Sequence, residues 1–321
     1  MKRKIIVTLV ILCILFLSSC SLPGLGKSVA NDGIIIAGGN MTERQIVAEI
    51  VFQMIEHYID DVEISLINNM GSSTLIHQSM VHNNTNVSAC MYTGTSLVGE
   101  LEMKPIREPQ KALEMVIKGF DEKFDRVWFP SYGFNNTYAF MVKREFAEEN
   151  GLKTVSDLQS MASKLKVGVD SAWMKREGDG YNAFKEIYGF DFPDIYPMEI
   201  GLVYQAVDQD QMDVVLGYTT DGRIESFDLV VLEDDLQLFP PYDASPVTSK
   251  KVLKQYPELE NVLLRLEGSI TNETMQKLNR RSDELLVEPN IVAKQFLEEN
   301  NFFEDRKIIP LAERGKPYGV N

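Results

Sequence analysis

From Gly33 onward, short strand-like apolar runs alternate with longer stretches in which apolar residues recur every three or four positions. This alternation confines the chain to a layered α/β architecture. Gly33 to Gly39 (GIIIAGG) reads as a strand closing on a glycine turn, and Thr42 then precedes a helical face of Ile46, Val47, Ile50, Val51, Met54 and Ile55. Val62, Ile64 and Leu66 alternate with Glu63 and Ser65, the pattern of a half-buried strand. Beyond these, the same reasoning predicts helices over 72–82, 109–124, 154–165, 181–188 and 203–207. It predicts strands over 87–92, 138–142, 166–169, 213–218 and 229–232, and mostly helix from 249 to 301. Helices on both faces of the sheets are expected, and 321 residues suggest about two domains.

The segment before this alternation reads as an address. Lys2, Arg3 and Lys4 precede an apolar run from Ile5 to Leu17, which ends in Leu17-Ser18-Ser19-Cys20. Such a run is short for a spanning helix, and small residues before a cysteine look like a bacterial lipobox. That resemblance implies a signal peptide over 1–19, cleavage before Cys20 and a lipid on its thiol. Residues 20–32, rich in Gly, Pro and Ser, would form a flexible tether. The expected location is the extracellular face of the cell membrane, reached through the lipid anchor only. Of the three cysteines, Cys13 would leave with the signal and Cys20 would be modified. Cys90 then has no partner for an intramolecular disulfide and is expected to be a small buried hydrophobe. The formal charge of −15 argues against nucleic acid or a polybasic membrane contact, both of which need a basic face.

Enzyme chemistry leaves little trace. None of the three histidines, His57, His77 and His82, sits in a metal-ligand spacing. No GxSxG elbow and no GxxxxGK[ST] loop occurs. Asp60-Asp61 and Asp234-Asp235 are adjacent pairs that cannot face one site and read as solvated loops. No catalytic residue, metal or cofactor is expected. The more informative residues are tyrosines. Tyr92 ends a strand before Thr93-Gly94, Tyr138 begins one after Asn135-Asn136, Tyr218 ends one before a Thr-Thr-Asp-Gly turn, and Tyr242 follows Pro240-Pro241. Strand ends beside such turns are where α/β folds place ligand groups. Singly, each tyrosine is better explained by core or rim packing than by ligand contact; together they could converge on an interdomain cleft.

Longer blocks carry a family resemblance. The lipobox is followed by Ser21-Leu22-Pro23-Gly24-Leu25-Gly26, the first helix starts at Met41-Thr42-Glu43, and Tyr92-Thr93-Gly94-Thr95 follows. Trp128-Phe129-Pro130 runs into Ser131-Tyr132-Gly133-Phe134-Asn135-Asn136-Thr137-Tyr138-Ala139-Phe140. Asp170-Ser171-Ala172-Trp173, Gly178-Asp179-Gly180-Tyr181, Tyr218-Thr219-Thr220-Asp221-Gly222-Arg223 and Phe239-Pro240-Pro241-Tyr242-Asp243 complete the series. From about Gly33 to Phe303 the chain resembles the substrate-binding lipoproteins of osmoprotectant ABC importers, of the OpuC/OpuB type and related to ProX. The resemblance implies a bilobed periplasmic-binding-protein (type II) fold with ligand in the interdomain cleft. Domain I would comprise 33–134 and 236–303 and hold Tyr92 and Tyr242. Domain II would comprise 135–235 and hold Tyr138 and Tyr218. Residues 304–321 would form a tail, either mobile or packed along domain I. The four tyrosines would form an aromatic cage for a quaternary ammonium ligand such as glycine betaine, carnitine or choline. An ABC permease and ATPase would be separate chains.

The chemistry of such a ligand fits aromatic rings. A trimethylammonium group is cationic but has no N–H to donate, so ring faces attract it where hydrogen-bond acceptors gain little. Each ring contributes about 0.5–2 kcal/mol once water is excluded. Four would supply a useful part of the roughly 8 kcal/mol of a micromolar complex. In the family, the residue three after the first cage tyrosine helps set specificity, and here it is Thr95. Its hydroxyl can donate to a betaine or carnitine carboxylate, whereas it could equally cap the turn after Gly94. The family often has Gln or Lys where this chain has Gly39, so that contact is lost or moves to Asn40, with Asn136 a further polar candidate. Three other readings follow from the same residues: a binder of another solute such as an amino acid, using Arg223 and Asp221; a secreted hydrolase of choline esters; and a structural surface lipoprotein.

Overall fold

Ile34–Gly39 is buried along its whole length, because it lies inside a sheet with neighbours on both sides. A strand covered on both faces reads as an unbroken apolar run rather than an alternating one. The structure, a computed structural model, describes residues 33–318; Cys13, Cys20 and the 21–32 segment lie outside them. The first four strands are β1 (Ile34–Gly39), β2 (Ile64–Met70), β3 (Val87–Tyr92) and β4 (Arg126–Trp128). The chain then lays down β5 (Tyr138–Lys143), β6 (Lys166–Asp170), β7 (Asp194–Met198), β8 (Val214–Tyr218) and β9 (Leu229–Val231), and returns as β10 (Ala244–Ser249). One sheet has the order β2-β1-β3-β10-β4 and the other β7-β6-β8-β5-β9. Each mixes parallel pairs with antiparallel strands: β10 against β3 and β4, and β5 against β8 and β9. The two sheets and their flanking helices form the α/β architecture expected from the alternation, in the two lobes that the family resemblance implies.

The helices of the first lobe before the crossing are α1 (Thr42–Tyr58), α2 (Ser73–Val81), α3 (Thr93–Val98) and α4 (Pro109–Phe124). The second lobe carries α5 (Arg144–Asn150), α6 (Tyr181–Tyr188), α7 (Ile200–Asp208) and α8 (Arg223–Ser226). After β10 come α9 (Lys250–Gln255), α10 (Glu258–Leu264), α11 (Asn272–Asp283) and α12 (Pro289–Glu299). The predicted apolar face of α1 is buried in full. The Glu108 carboxylate accepts from the N–H groups of Gln110 and Lys111 at the start of α4, and Pro109 occupies its first turn.

Some elements differ from expectation. Residues 154–165 form two 3₁₀ segments, Val155–Ser160 and Ala162–Lys164, although the Thr154–Asp157 capping box is present. Ser156, Ser160 and Ser163 compete for backbone hydrogen bonds there, and the buried pair Val155 and Leu158 is spaced by three. Three strands have no clear signal in the sequence. β4 is only three residues long. β7 is an edge strand carrying Pro197, where proline is tolerated. β10 carries Pro246 at the point where its register with β3 shifts. His77 is half-buried on α2, against Phe124 at 4.4 Å.

Each lobe has its own core. Ile34, Ile50, Met54, Phe129, Phe134 and Phe296 belong to the first, together with Cys90, whose thiol burial pushes up to about 12. Phe140, Trp173, Phe184, Phe192, Leu238 and Phe239 belong to the second. The two connecting segments meet: Asn135 bridges Asp243, Asn136 N–H donates to the Tyr242 carbonyl at 3.2 Å, and Ala244 N–H to the Phe134 carbonyl at 3.2 Å. Helix α11 packs in the first core but also reaches the second lobe. Gln276 Nε2 donates to the Thr219 carbonyl at 2.7 Å and Asn279 Nδ2 to the Thr220 carbonyl at 2.8 Å. The 304–318 segment lies along the first lobe, tied by Leu311 N–H to Glu260 at 2.8 Å and Arg314 to Glu267 at 2.7 Å.

Gly217, in β8, has a specific steric reason. A Cβ there would lie 2.3 Å from the Tyr204 hydroxyl, which itself receives the Tyr218 N–H at 2.7 Å. Gly217→Ala is expected to destabilise by about 2 kcal/mol through overpacking. Thermal melting should show a fall of several degrees, and an unchanged Tm would contradict this packing.

Candidate functional site

Antiparallel pairing puts Tyr138, the first residue of β5, opposite Tyr218, the last of β8. Paired residues project to the same face, and the two rings stack with centroids 4.8 Å apart and planes at 29°. The Tyr218 hydroxyl donates to that of Tyr138 at 3.3 Å, and Tyr138 donates to Asp170 Oδ2 at 2.5 Å. Asp170 is the last residue of β6.

Tyr242 sits in the return crossing, two residues before the start of β10. Gly94 lets it pack there: a Cβ at Gly94 would lie 2.7 Å from the Pro241 carbonyl oxygen and 3.0 Å from the Tyr242 ring. Arg176 links Tyr242 to the stacked pair. Its guanidinium lies 5.4 Å from the Tyr138 centroid and donates to the Tyr242 hydroxyl at 2.7 Å. Two further bonds to Asp179, at 2.8 and 2.6 Å, fix its plane. Thr95, Arg176 and Tyr242 line one hollow of about 430 Å³ with Gly94, Asp179 and Pro240.

Tyr92, the last residue of β3, is joined to the group by hydrogen bonds rather than ring stacking. Its hydroxyl donates to Glu43, which also accepts from Asn136 Nδ2 at 2.9 Å. The Arg44 guanidinium lies 4.8 Å from the Tyr92 centroid and donates to Ser73 Oγ at 2.6 Å. Asn40, Glu43, Asn136 and Tyr218 line a second hollow of about 250 Å³, with Asp221 and Asp283. The structure thus brings Tyr138 and Tyr218 into direct contact, ties Tyr242 to them through Arg176, and ties Tyr92 to Asn136 through Glu43. A larger groove of about 840 Å³ on the first lobe, lined by Arg126, Trp128, Leu311 and Tyr318, contains none of these residues.

Burial raises the pKa of every tyrosine in the group and so suppresses its ionisation. It lifts Tyr92 and Tyr218 above the usual phenol range. It does the same for Tyr138, reinforced by the bond to Asp170. It pushes Tyr242 up to about 12 against the opposing pull of Arg176. All four rings are therefore neutral phenols at physiological pH, with their hydroxyls anchored by hydrogen bonds.

Arg176, Asp170 and Glu43 carry no sequence signal as site residues. Arg176 falls in the gap between Asp170-Ser171-Ala172-Trp173 and Gly178-Asp179-Gly180-Tyr181, and only the fold brings its loop to Tyr242. Arg223, the candidate for an amino-acid clamp, is otherwise engaged. It binds Asp221 at 2.8 and 2.6 Å, the Gly201 carbonyl at 3.0 Å, and lies 4.3 Å from the Tyr204 centroid. Among the described residues no group of three or more His, Cys, Asp or Glu is placed to hold a metal ion. Nor is any helix among them long and apolar enough to cross a membrane.

Comparison with known proteins gives a consistent picture. The chain is 48% identical to the carnitine transport binding protein OpuCC of Listeria monocytogenes over 309 residues, 95% of this chain and 100% of that one. It is 33% identical to the glycine-betaine-binding protein of Pseudomonas aeruginosa, over 84% of this chain and 88% of the other. A crystal structure of a glycine betaine/carnitine/choline ABC transporter protein superposes with a TM-score of 0.82 at 45% identity, covering 84% of this chain and all of that one. Residues 32–299 match the family described as the substrate-binding domain of the ABC-type glycine betaine transport system. These relatives are binding proteins rather than enzymes, and the chain belongs to that substrate-binding family.

Proposed function

We propose that this chain captures quaternary ammonium osmoprotectants for an ABC importer, between its two lobes, in a cage formed by Tyr92, Tyr138, Tyr218 and Tyr242. The observation that carries the reading is the adjacency of aromatic faces and a guanidinium. The stacked Tyr138–Tyr218 pair lies beside Arg176, which bonds Tyr242 at 2.7 Å. A zwitterion such as glycine betaine or carnitine has the two matching ends: methyl groups on a cation for the rings, and a carboxylate for Arg176. Thr95 lines the same hollow as Arg176, so its hydroxyl is assigned to the carboxylate end. Asn40 and Asn136 line the Tyr218 hollow instead, and the Asn136 amide already donates to Glu43. They are assigned to the walls of the cleft rather than to the carboxylate. The lobes would close by bending at residues 135–137 and 240–243, where the crossing segments lie side by side.

The permease and ATPase that move the captured ligand are assigned to separate chains. The protein is placed on the outer face of the cell membrane by a lipid on Cys20, which lies outside the described residues. Cys20→Ala should therefore abolish incorporation of labelled fatty acid into the protein, and undiminished labelling would contradict the anchor.

The function is tested by thermal stability against a solute panel. Glycine betaine, carnitine and choline should each raise Tm, in the order of their affinities at equal concentration, while proline should not. Tyr218→Ala should weaken these ligands by about tenfold or more, in keeping with the loss of one ring. A panel in which none of the methylammonium solutes shifts Tm would overturn the reading.

Thr95→Asp tests the carboxylate end. A second carboxylate facing that of betaine is expected to lower betaine affinity relative to choline by at least about tenfold, because like charges in a desolvated cleft repel strongly. Calorimetric titration of the two ligands gives the ratio, and an unchanged ratio would remove Thr95 from the site.

A further inference from the structure

Two of the cage tyrosines do more than present a ring. Tyr138 donates its hydroxyl to Asp170, and Tyr92 donates to Glu43. The carboxylates come from opposite lobes, one from the end of β6 and one from the first turn of α1. Both are buried, Asp170 at 8% exposure and Glu43 at 3%. A buried carboxylate is ordinarily paired with a cation, because its desolvation is costly. Here neither forms an ion pair among the described residues. Asp170 accepts from Tyr138 and from the Ala172 N–H at 3.2 Å. Glu43 accepts from Tyr92 and Asn136 through one oxygen, and its other oxygen has no partner.

The nearby arginines are directed elsewhere. Arg176 is held by Asp179 and Tyr242. Arg44 donates to Ser73 and lies over the Tyr92 ring, where its charge partly offsets Glu43. On the second lobe the hydrogen bonds run in one direction, from Tyr218 to Tyr138 to Asp170. A phenol that donates to a carboxylate gains electron density on its oxygen and ring, and donors in series polarise one another. That makes the π face more negative, and the ring face is what attracts a cation.

We infer that Asp170, and to a smaller degree Glu43, are positioning residues that supply the negative charge of the cage through Tyr138, Tyr218 and Tyr92, so that the site selects a permanent cation over an uncharged group of the same shape. This rests on the quaternary ammonium reading given above. Asp170 carries the larger share because two rings, Tyr218 and Tyr138, are linked to it in series while Glu43 receives one; an arginine lies against each set, Arg176 at 5.4 Å from the Tyr138 centroid and Arg44 at 4.8 Å from that of Tyr92. The site is then dipolar, with Asp170 and Glu43 behind the rings and Arg176 at the other end of the ligand.

The test compares glycine betaine with its carbon isostere 3,3-dimethylbutanoate, which keeps the shape and the carboxylate but lacks the positive charge. Calorimetric titration of both is made against the wild type, Asp170→Asn, Glu43→Gln and Tyr138→Phe. Asp170→Asn, which still accepts the phenol hydrogen, should weaken betaine about tenfold and leave the isostere unchanged or tighter, with Glu43→Gln showing a smaller shift of the same sign. In the Tyr138→Phe background, Asp170→Asn should have a much reduced effect on betaine, the coupling expected of groups acting in series. Equal losses for both ligands would show a structural role only, and an undiminished effect in the Tyr138→Phe background would show that Asp170 does not act through the ring; either overturns the inference while leaving the cage intact. A wild type that binds no methylammonium solute would instead overturn the function itself.

Discussion

The stacked contact between Tyr138 and Tyr218 sets the terms for the rest of the site. It follows from strand register: β5 and β8 run antiparallel with these residues paired, and the rings come to 4.8 Å. Gly217 lets Tyr204 reach beneath β8 and hold the Tyr218 backbone by two hydrogen bonds, at 2.7 and 3.2 Å. Asp170 holds the Tyr138 hydroxyl from the end of the neighbouring strand. With both rings fixed, the remaining parts need only be brought up from the other lobe and from the crossing. The crossing does this with backbone bonds between 134–136 and 242–244, so Tyr242 keeps its place at the bend.

Under the proposed function this arrangement also suits salt-rich surroundings. Salt screens exposed charges over a Debye length of about 3 Å at 1 M. Neutral phenols facing a desolvated cation are screened far less than an open carboxylate would be. Burial keeps the four phenols protonated, and the negative charge that backs them sits behind the rings rather than in contact with water. Under that proposal, a ligand that carries its own carboxylate would meet Arg176 and Thr95 at one end and uncharged rings at the other.

Much of the fold was legible in the sequence, for physical reasons that differ by element. β1 and α1 declare themselves, since one is a continuous apolar run and the other an apolar stripe at helical spacing. β4, β7 and β10 do not: β4 is very short, β7 carries a proline on an edge, and β10 is strand only because β3 and β4 lie beside it. Residues 154–165 show the cost of reading a cap as a helix, because the cap is there while the serines behind it favour a tighter turn. For the site, the tyrosines stand out at strand ends next to Gly and Pro turns. Arg176, Asp170 and Glu43 do not, since their importance depends on contacts with residues as many as 93 positions away. Pattern reading sees periodicity and turn chemistry but not the convergence of separate loops.

The central claim is that the cleft recognises a methylated nitrogen because that nitrogen offers no proton. The most direct measurement is calorimetric titration of the purified protein with glycine, sarcosine, dimethylglycine and glycine betaine, which differ only in the number of N-methyl groups. Each N–H removed lowers the cost of leaving water and adds apolar surface to the rings, so affinity should rise at every step and be greatest for betaine. Equal affinities across the series, or a preference for glycine, would mean that the nitrogen is held by hydrogen-bond acceptors and not by aromatic faces.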